Sequence, residues 1–215
     1  MPHRGRPHKI APEEQVRRAM RLFWRKGYYD TSVDDLVSDT GINRYTVCTA
    51  HGGKKSLFEK ALALYEAEVT SSFLAVLETD GAGLFAIRDF FCQFLAFLEQ
   101  PIGAYGCLLC NTSSEVAPDD PAIANRIERY IARLTGALRR AAQSAKARGE
   151  LREGVDLDQF ADYCAGSVLG IMSFARSPAP RRAVRNYVQG ILHAIDAVSA
   201  TAKPSPPNDR KGKRT

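Results

Sequence analysis

Long apolar runs are missing from this chain. Its most apolar stretch, Leu84 to Leu98, is broken by Arg88, Asp89 and Gln93, whereas a helix needs ~20 predominantly apolar residues to cross a bilayer. The basic segment Met1 to Lys9 is not followed by an apolar signal core, so neither a leader nor a membrane partner is expected. Period-2 alternation is also missing, which argues against exposed strands. The cysteines number five, an odd count spread through helical patterns. That speaks against a disulfide framework and for reduced thiols in a cytoplasm. The four histidines (His3, His8, His51, His193) pair with no cysteine, so no zinc site is expected. There is no Gly-rich phosphate loop and no nucleophile–base motif. The expectation is therefore a protein that is not an enzyme and carries no cofactor or metal.

The chain that remains has 215 residues, one large domain or two modest ones at ~150 residues each. Its charge is unevenly placed. Residues 1–55 carry a net +5, residues 56–201 a net −3 and residues 202–215 a net +4. A basic end favours contact with a polyanion, because Lys and Arg that neutralise phosphates release counterions.

Apolar residues recur at helical spacing nearly throughout, which predicts an all-α fold of about nine helices. Val16, Ala19, Met20 and Phe23 form one stripe, with Pro12 at a helix start and Gly27 at its stop. Ser32 and Asp35 have capping-box spacing before a short helix that Gly41 ends. Asn43 caps a third helix running to Ala50, and Gly52-Gly53 ends it. Further helices are expected over Lys54–Glu78, Leu84–Glu99, Tyr105–Val116, Pro121–Arg148, Leu157–Ala175 and Pro180–Ala200. The predicted domains are an arm and head over 1–53, a helical body over 54–201 and a disordered basic tail over 202–215. The tail lacks large apolar residues to offset chain entropy.

Two short helices joined at Gly41 have the form of a DNA-reading helix-turn-helix. Glycine lets the chain turn sharply between Thr40 and Ile42. The exposed positions of the second helix would be Arg44, Tyr45, Thr46 and Thr49. Arginine can grip guanine bidentately and threonine can meet a base edge. Ser32, Asn43, His51 and Lys54 complete the expected DNA surface, with Lys54 on phosphate. Arg4 and Arg6 would form an arm in an adjacent minor groove.

The segments Gly5-Arg6-Pro7, Leu22 to Tyr28, Thr31 to Leu36, Thr40 to Arg44 and Gly52 to Phe58 resemble the tetracycline-repressor (TetR) family, in order and without gaps. The resemblance implies a homodimer built on 157–175 and 180–200, two reading helices on a palindromic DNA operator, and a small-molecule inducer in the body that releases the DNA. It also implies two departures: Cys48 and His51 stand where the family usually has aromatics, at Cys48 a phosphate-contacting Tyr.

The body is rich in aromatics. Phe91, Phe94, Tyr130, Tyr163 and Phe174 are candidates to line an apolar pocket, with Asn111 or Arg133 orienting a ligand. Cys107-Leu108-Leu109-Cys110 places two thiols one turn apart near a helix start, where the positive helix end lowers a thiol pKa. These residues are therefore candidate ligand contacts. They also carry the alternative reading, a thiol-dependent redox enzyme or sensor. The competing explanation is two small buried hydrophobes.

Overall fold

The computed structural model describes residues 10–201. The arm with Arg4 and Arg6, and the tail, lie outside the described residues. Among those described there are nine α-helices and no strand, only a single β-bridge between Leu151 and Ser199. The all-α expectation holds.

The head contains α1 (Pro12–Lys26), α2 (Val33–Thr40) and a single π turn (Thr46–Ala50), the reading turn. Helix α1 starts with Pro12 and ends at Gly27, whose φ of 95° is unfavourable for any other residue. Helix α2 opens with the complete capping box. Ser32 Oγ accepts from the Asp35 backbone N–H, and the Asp35 carboxylate accepts from the Ser32 N–H at 2.8 Å. Such a cap contributes about 1 kcal/mol. Gly41 closes α2 in the left-handed region, φ 70°. Ile42 and Val47 are then buried against Leu36 and Leu57 in a shared core.

One uninterrupted helix is predicted from Lys54 to Glu78. The chain is helical there but not uniform. Helix α3 (Gly53–Tyr65) passes through a second π turn (Glu66–Thr70) into α4 (Ser71–Glu78). Periodicity cannot reveal an i→i+5 turn, because one extra residue shifts the stripe by less than its own width. Helix α3 packs along α1 and also continues into the body. It thereby links the head to the body.

The body comprises α5 (Leu84–Glu99), α6 (Leu108–Glu115), α7 (Pro121–Ala147), α8 (Leu157–Arg176) and α9 (Arg181–Ala197). Aspartates cap the two longest: Asp120 accepts from the N–H groups of Ala122 and Ile123, and Asp156 from those of Asp158 and Gln159. Helices α5, α7 and α8 enclose a core of Ile87, Phe90, Phe91, Leu134, Leu138 and Ile171.

The helix expected over Tyr105–Val116 begins later. A 3₁₀ turn (Pro101–Tyr105) comes first, then Gly106 at φ 66°, ψ −142°. A Cβ on Gly106 would lie 2.6 Å from the Met172 carbonyl, so only glycine fits there. The helix therefore restarts at Leu108, and Cys107 becomes its N-cap residue.

Candidate functional site: the reading turn and the thiol cavity

The reading turn projects from the head. Its entry is fixed by Asn43, whose side-chain oxygen accepts from the Thr46 N–H at 2.7 Å. Tyr45 is 76% exposed, the most outward large side chain near the turn. Thr49 is exposed, although its hydroxyl donates to the Tyr45 carbonyl at 2.6 Å. Thr46 is half-buried. Arg44 is exposed and paired with Asp34 on α2. An exposed pair of this kind contributes at most ~1 kcal/mol, so a phosphate or base edge can displace the carboxylate. Cys48 is exposed on the same surface.

Two expected contacts sit differently. His51 does not face the groove: it is only 5% exposed, and its Nε2 lies 2.8 Å from Gln15 Oε1 on α1. It follows Val47 by four residues and so shares that residue's inward face. Burial, then the charge of Lys60, lowers its pKa, which favours a neutral ring pinning the turn to α1. Ser32 is exposed but its hydroxyl is committed to the α2 cap.

Lys54 is half-buried, with its ammonium 4.3 Å from the centre of the Tyr28 ring. It stands at the start of α3, where free backbone N–H groups add to its charge. Its neighbour Lys55 pairs with Asp120 at the start of α7, at 2.6 Å.

Further contacts join head and body. Trp24 Nε1 donates to the Gly106 carbonyl at 3.0 Å in a buried setting. Arg176, near the end of α8, donates to the carbonyls of Trp24 (2.9 Å) and Tyr105 (3.3 Å). Glu115, the last residue of α6, accepts from the Tyr29 N–H at 2.8 Å. Gly27 makes room for that carboxylate: a Cβ there would meet Glu115 Oε1 at 2.8 Å. The segment from Gly106 to Glu115 therefore touches the head at both ends. Sequence reasoning missed Trp24, Glu115 and Arg176, because each acts through a contact 71 or more residues away.

A narrow apolar cavity of about 30 Å³ lies between α3, α4, α5, α7 and α8. Of the candidate ligand contacts, Phe94, Cys107 and Tyr130 line it, joined by Tyr65, Phe73 and Met172. Cys107 is buried, yet its pKa is lowered to about 7. The Cys110 thiol contributes most, and the N–H groups of Cys110 and Leu109 and the Tyr65 hydroxyl add to it, against burial. Cys110 moves the opposite way: the neighbouring Cys107 and burial push it up. One thiol is prepared to ionise at the other's expense.

The remaining candidate ligand contacts lie elsewhere. Phe91 is fully buried in the core outside the cavity wall. Arg133 is held outside by Glu78, at 2.8 Å, because a guanidinium beside a carboxylate gains nothing from an apolar interior. Asn111 donates to the Tyr105 carbonyl at 2.9 Å. Together with Cys110 it lines a separate polar groove. Tyr163 is 45% exposed on α8, and Phe174 packs on Tyr187 of α9 at 6.0 Å. Both face away from the cavity because α8 turns one side to α7 and the other outward.

A small-helix head with a reading turn, joined to an apolar helical body, defines a helix-turn-helix DNA-binding transcription regulator with a ligand-binding domain. Residues 16–61 match the family of bacterial regulatory proteins named for tetR, and residues 83–191 match the tetracyclin repressor-like C-terminal domain. The chain belongs to the TetR family. It is 31% identical over 193 residues to the uncharacterized HTH-type transcriptional regulator YezE of Bacillus subtilis (strain 168), covering 89% of this chain and all of that one. It is 28% identical to the HTH-type transcriptional repressor ComR of Escherichia coli (strain K12), covering 82% and 84%. Among solved structures, a cysteine mutant of the TetR family regulator CifR, complexed with 26bp double-strand operator DNA, superposes with a TM-score of 0.74. The two are 23% identical, over 88% of this chain and 99% of that one. The reduced form of E. coli NemR gives 0.72 at 16% identity, over 89% and 98%. No described helix is long and apolar enough to cross a membrane.

Proposed function

We propose that this regulator is a homodimeric repressor, released from a palindromic operator when an apolar electrophile enters the cavity and adds to Cys107. The observation that carries the proposal is the position of Cys107. It stands at the N-cap position of α6, lines the cavity, and adjoins Gly106, whose carbonyl holds Trp24 of the head. An adduct on the thiol cannot leave the first turn of α6 unchanged, so its free-energy difference between head positions reaches the reading turn. Tyr45, Arg44, Thr49 and Lys54 carry the DNA contact in this reading. ComR is named a repressor and CifR is seen on operator DNA, which supports the direction of control. A cytoplasm, where thiols stay reduced, suits such a sensor.

The dimer rests on the outer faces of α8 and α9. Tyr163 and Tyr187 are 45% and 40% exposed there, beside the glycines at 166 and 190. Small residues among exposed aromatics make a face on which two helix pairs can approach closely.

The test is a gel-shift titration at moderate salt on DNA upstream of the protein's own gene, with and without a stoichiometric apolar quinone. A shift at submicromolar protein that the quinone reverses, and that Cys107→Ser renders insensitive, is the expected result. An unchanged quinone response in Cys107→Ser overturns the assignment.

A further inference from the structure

Cys107 and Cys110 stand three residues apart at the start of α6, and each lines a different opening. Cys107 lines the narrow apolar cavity. Cys110 lines an open polar groove between the end of α1 and the end of α8, whose walls include Lys26, Asp30, Asn111, Glu115 and Arg176. One thiol thus borders an apolar space and the other a polar, solvent-open one.

We propose that Cys107 and Cys110 form a nucleophile and its resolving partner, which close a reversible disulfide in the first turn of α6. The groove at Cys110 is the site where a small thiol reopens that bond. This inference rests on Cys107 being the reactive thiol of the proposed function.

Geometry permits the bond. Cα atoms three residues apart on a helix are separated by about 5 Å, inside the range that a disulfide spans. The first thiol is at the N-cap, where the backbone is extended (φ −109°, ψ 129°) and not locked into the helix. It can therefore adjust without breaking an i→i−4 bond of its own N–H.

The chemistry balances with two named reactants. The Cys107 thiolate attacks an organic hydroperoxide, ROOH. Its sulfur takes the distal OH as a sulfenic acid, and RO⁻ leaves and is protonated to ROH. The Cys110 thiol, giving up its proton, attacks that sulfur, and hydroxide leaves as water. The result is one disulfide, with both electrons delivered to the peroxide. For reduction, an external thiolate attacks Cys110 Sγ from the groove and Cys107 leaves. Thiol–disulfide exchange is faster when the leaving thiolate is the more stable one. The low pKa of Cys107 therefore favours this direction over attack at Cys107, and a buried cavity wall bars the other approach. A second external thiolate then frees Cys110 as a thiol and forms the external disulfide.

The arrangement also separates two signals. Hydroperoxide produces a bond that small thiols reverse. An enone or quinone alkylates Cys107 in a carbon–sulfur bond that Cys110 cannot displace.

The test uses the full chain with cumene hydroperoxide at two equivalents, one for each oxidation step to sulfinic acid, followed by peptide mass spectrometry and then glutathione. In wild type a peptide linked at Cys107 and Cys110 is expected, about 2 Da lighter than the dithiol, and glutathione restores it. In Cys110→Ser, and equally in Cys110→Ala, which adds no buried hydroxyl, the expected product is sulfinic acid on Cys107 that glutathione does not reverse. N-ethylmaleimide should label Cys107 in all three proteins. If wild type and both variants form sulfinic acid at the same rate, the resolving role of Cys110 is overturned while Cys107 stays reactive. If neither peroxide nor maleimide modifies Cys107, the reactive-thiol reading itself fails, and this one with it.

Discussion

Trp24 and Gly106 are 82 residues apart in the chain, and the indole N–H of one donates to the carbonyl of the other at 3.0 Å. The bond is buried, and Tyr65, Phe97 and Tyr105 pack around the indole. It joins the helix that supports the reading turn to the residue just before the reactive thiol.

Trp24→Phe keeps an aromatic ring and removes the donor. The Gly106 carbonyl is then left without a partner, which costs about 1–3 kcal/mol. Urea unfolding should show that loss. Operator affinity is expected to survive at temperatures where the protein is folded, while the quinone concentration that releases DNA rises. An unaltered release midpoint would remove Trp24 from the coupling.

Tyr45→Ala and Arg44→Ala touch exposed groups, so stability should change by no more than about 0.5 kcal/mol. DNA affinity should fall about tenfold or more for each, in keeping with ~1–3 kcal/mol for a base contact. Arg44→Ala should also lower the salt dependence by about one phosphate's worth if its partner is phosphate. Fluorescence anisotropy at three salt concentrations separates the two contact types.

Gly166→Glu addresses the dimer. A Cβ at Gly166 meets nothing within 4 Å in the single chain, and an exposed helical glycine is about 1 kcal/mol worse than alanine. The isolated subunit should therefore be at least as helical and as well folded. Two glutamates facing each other across a close helix contact should split the dimer. Sedimentation is expected to give a monomer with intact circular dichroism, and operator binding should drop steeply.

The pH profile of alkylation reflects the Cys107 pKa of about 7. The thiolate is the nucleophile, and its fraction falls about tenfold per pH unit below the pKa. Maleimide labelling of Cys107 should therefore rise with pH and level off above neutrality. Cys164, which burial pushes up to about 12, should remain unlabelled throughout that range. Tyr65→Phe removes a hydroxyl that helps lower the Cys107 pKa and should move the profile to higher pH.

Much of this protein was legible because local physics wrote it. The Ser32–Asp35 box, the left-handed glycines at 27, 41 and 52 and the Asp120 cap are set by neighbours a few residues away. Apolar periodicity then marks which side of each helix goes inward, so an all-α head and body could be read directly. The exposed Tyr45, Arg44 and Thr49 were legible for the same reason, since the turn that presents them is closed by Asn43 and Ile42 close by.

What the sequence could not decide depends on distant chain meeting. His51 has the chemistry of a DNA contact, but Gln15 of α1 takes its ring nitrogen. Tyr163 and Phe174 have the chemistry of pocket residues, but only the packing of α8 between α7 and α9 shows which side they occupy. Composition cannot say that the Met172 carbonyl presses on Gly106, yet that contact makes Cys107 an N-cap residue. The sequence by itself determined the helices and their faces, because a turn of helix is settled within four residues. Tertiary structure alone decided which thiol meets the cavity, which meets the groove, and how α6 reaches the head. Those depend on where the packed helices cross.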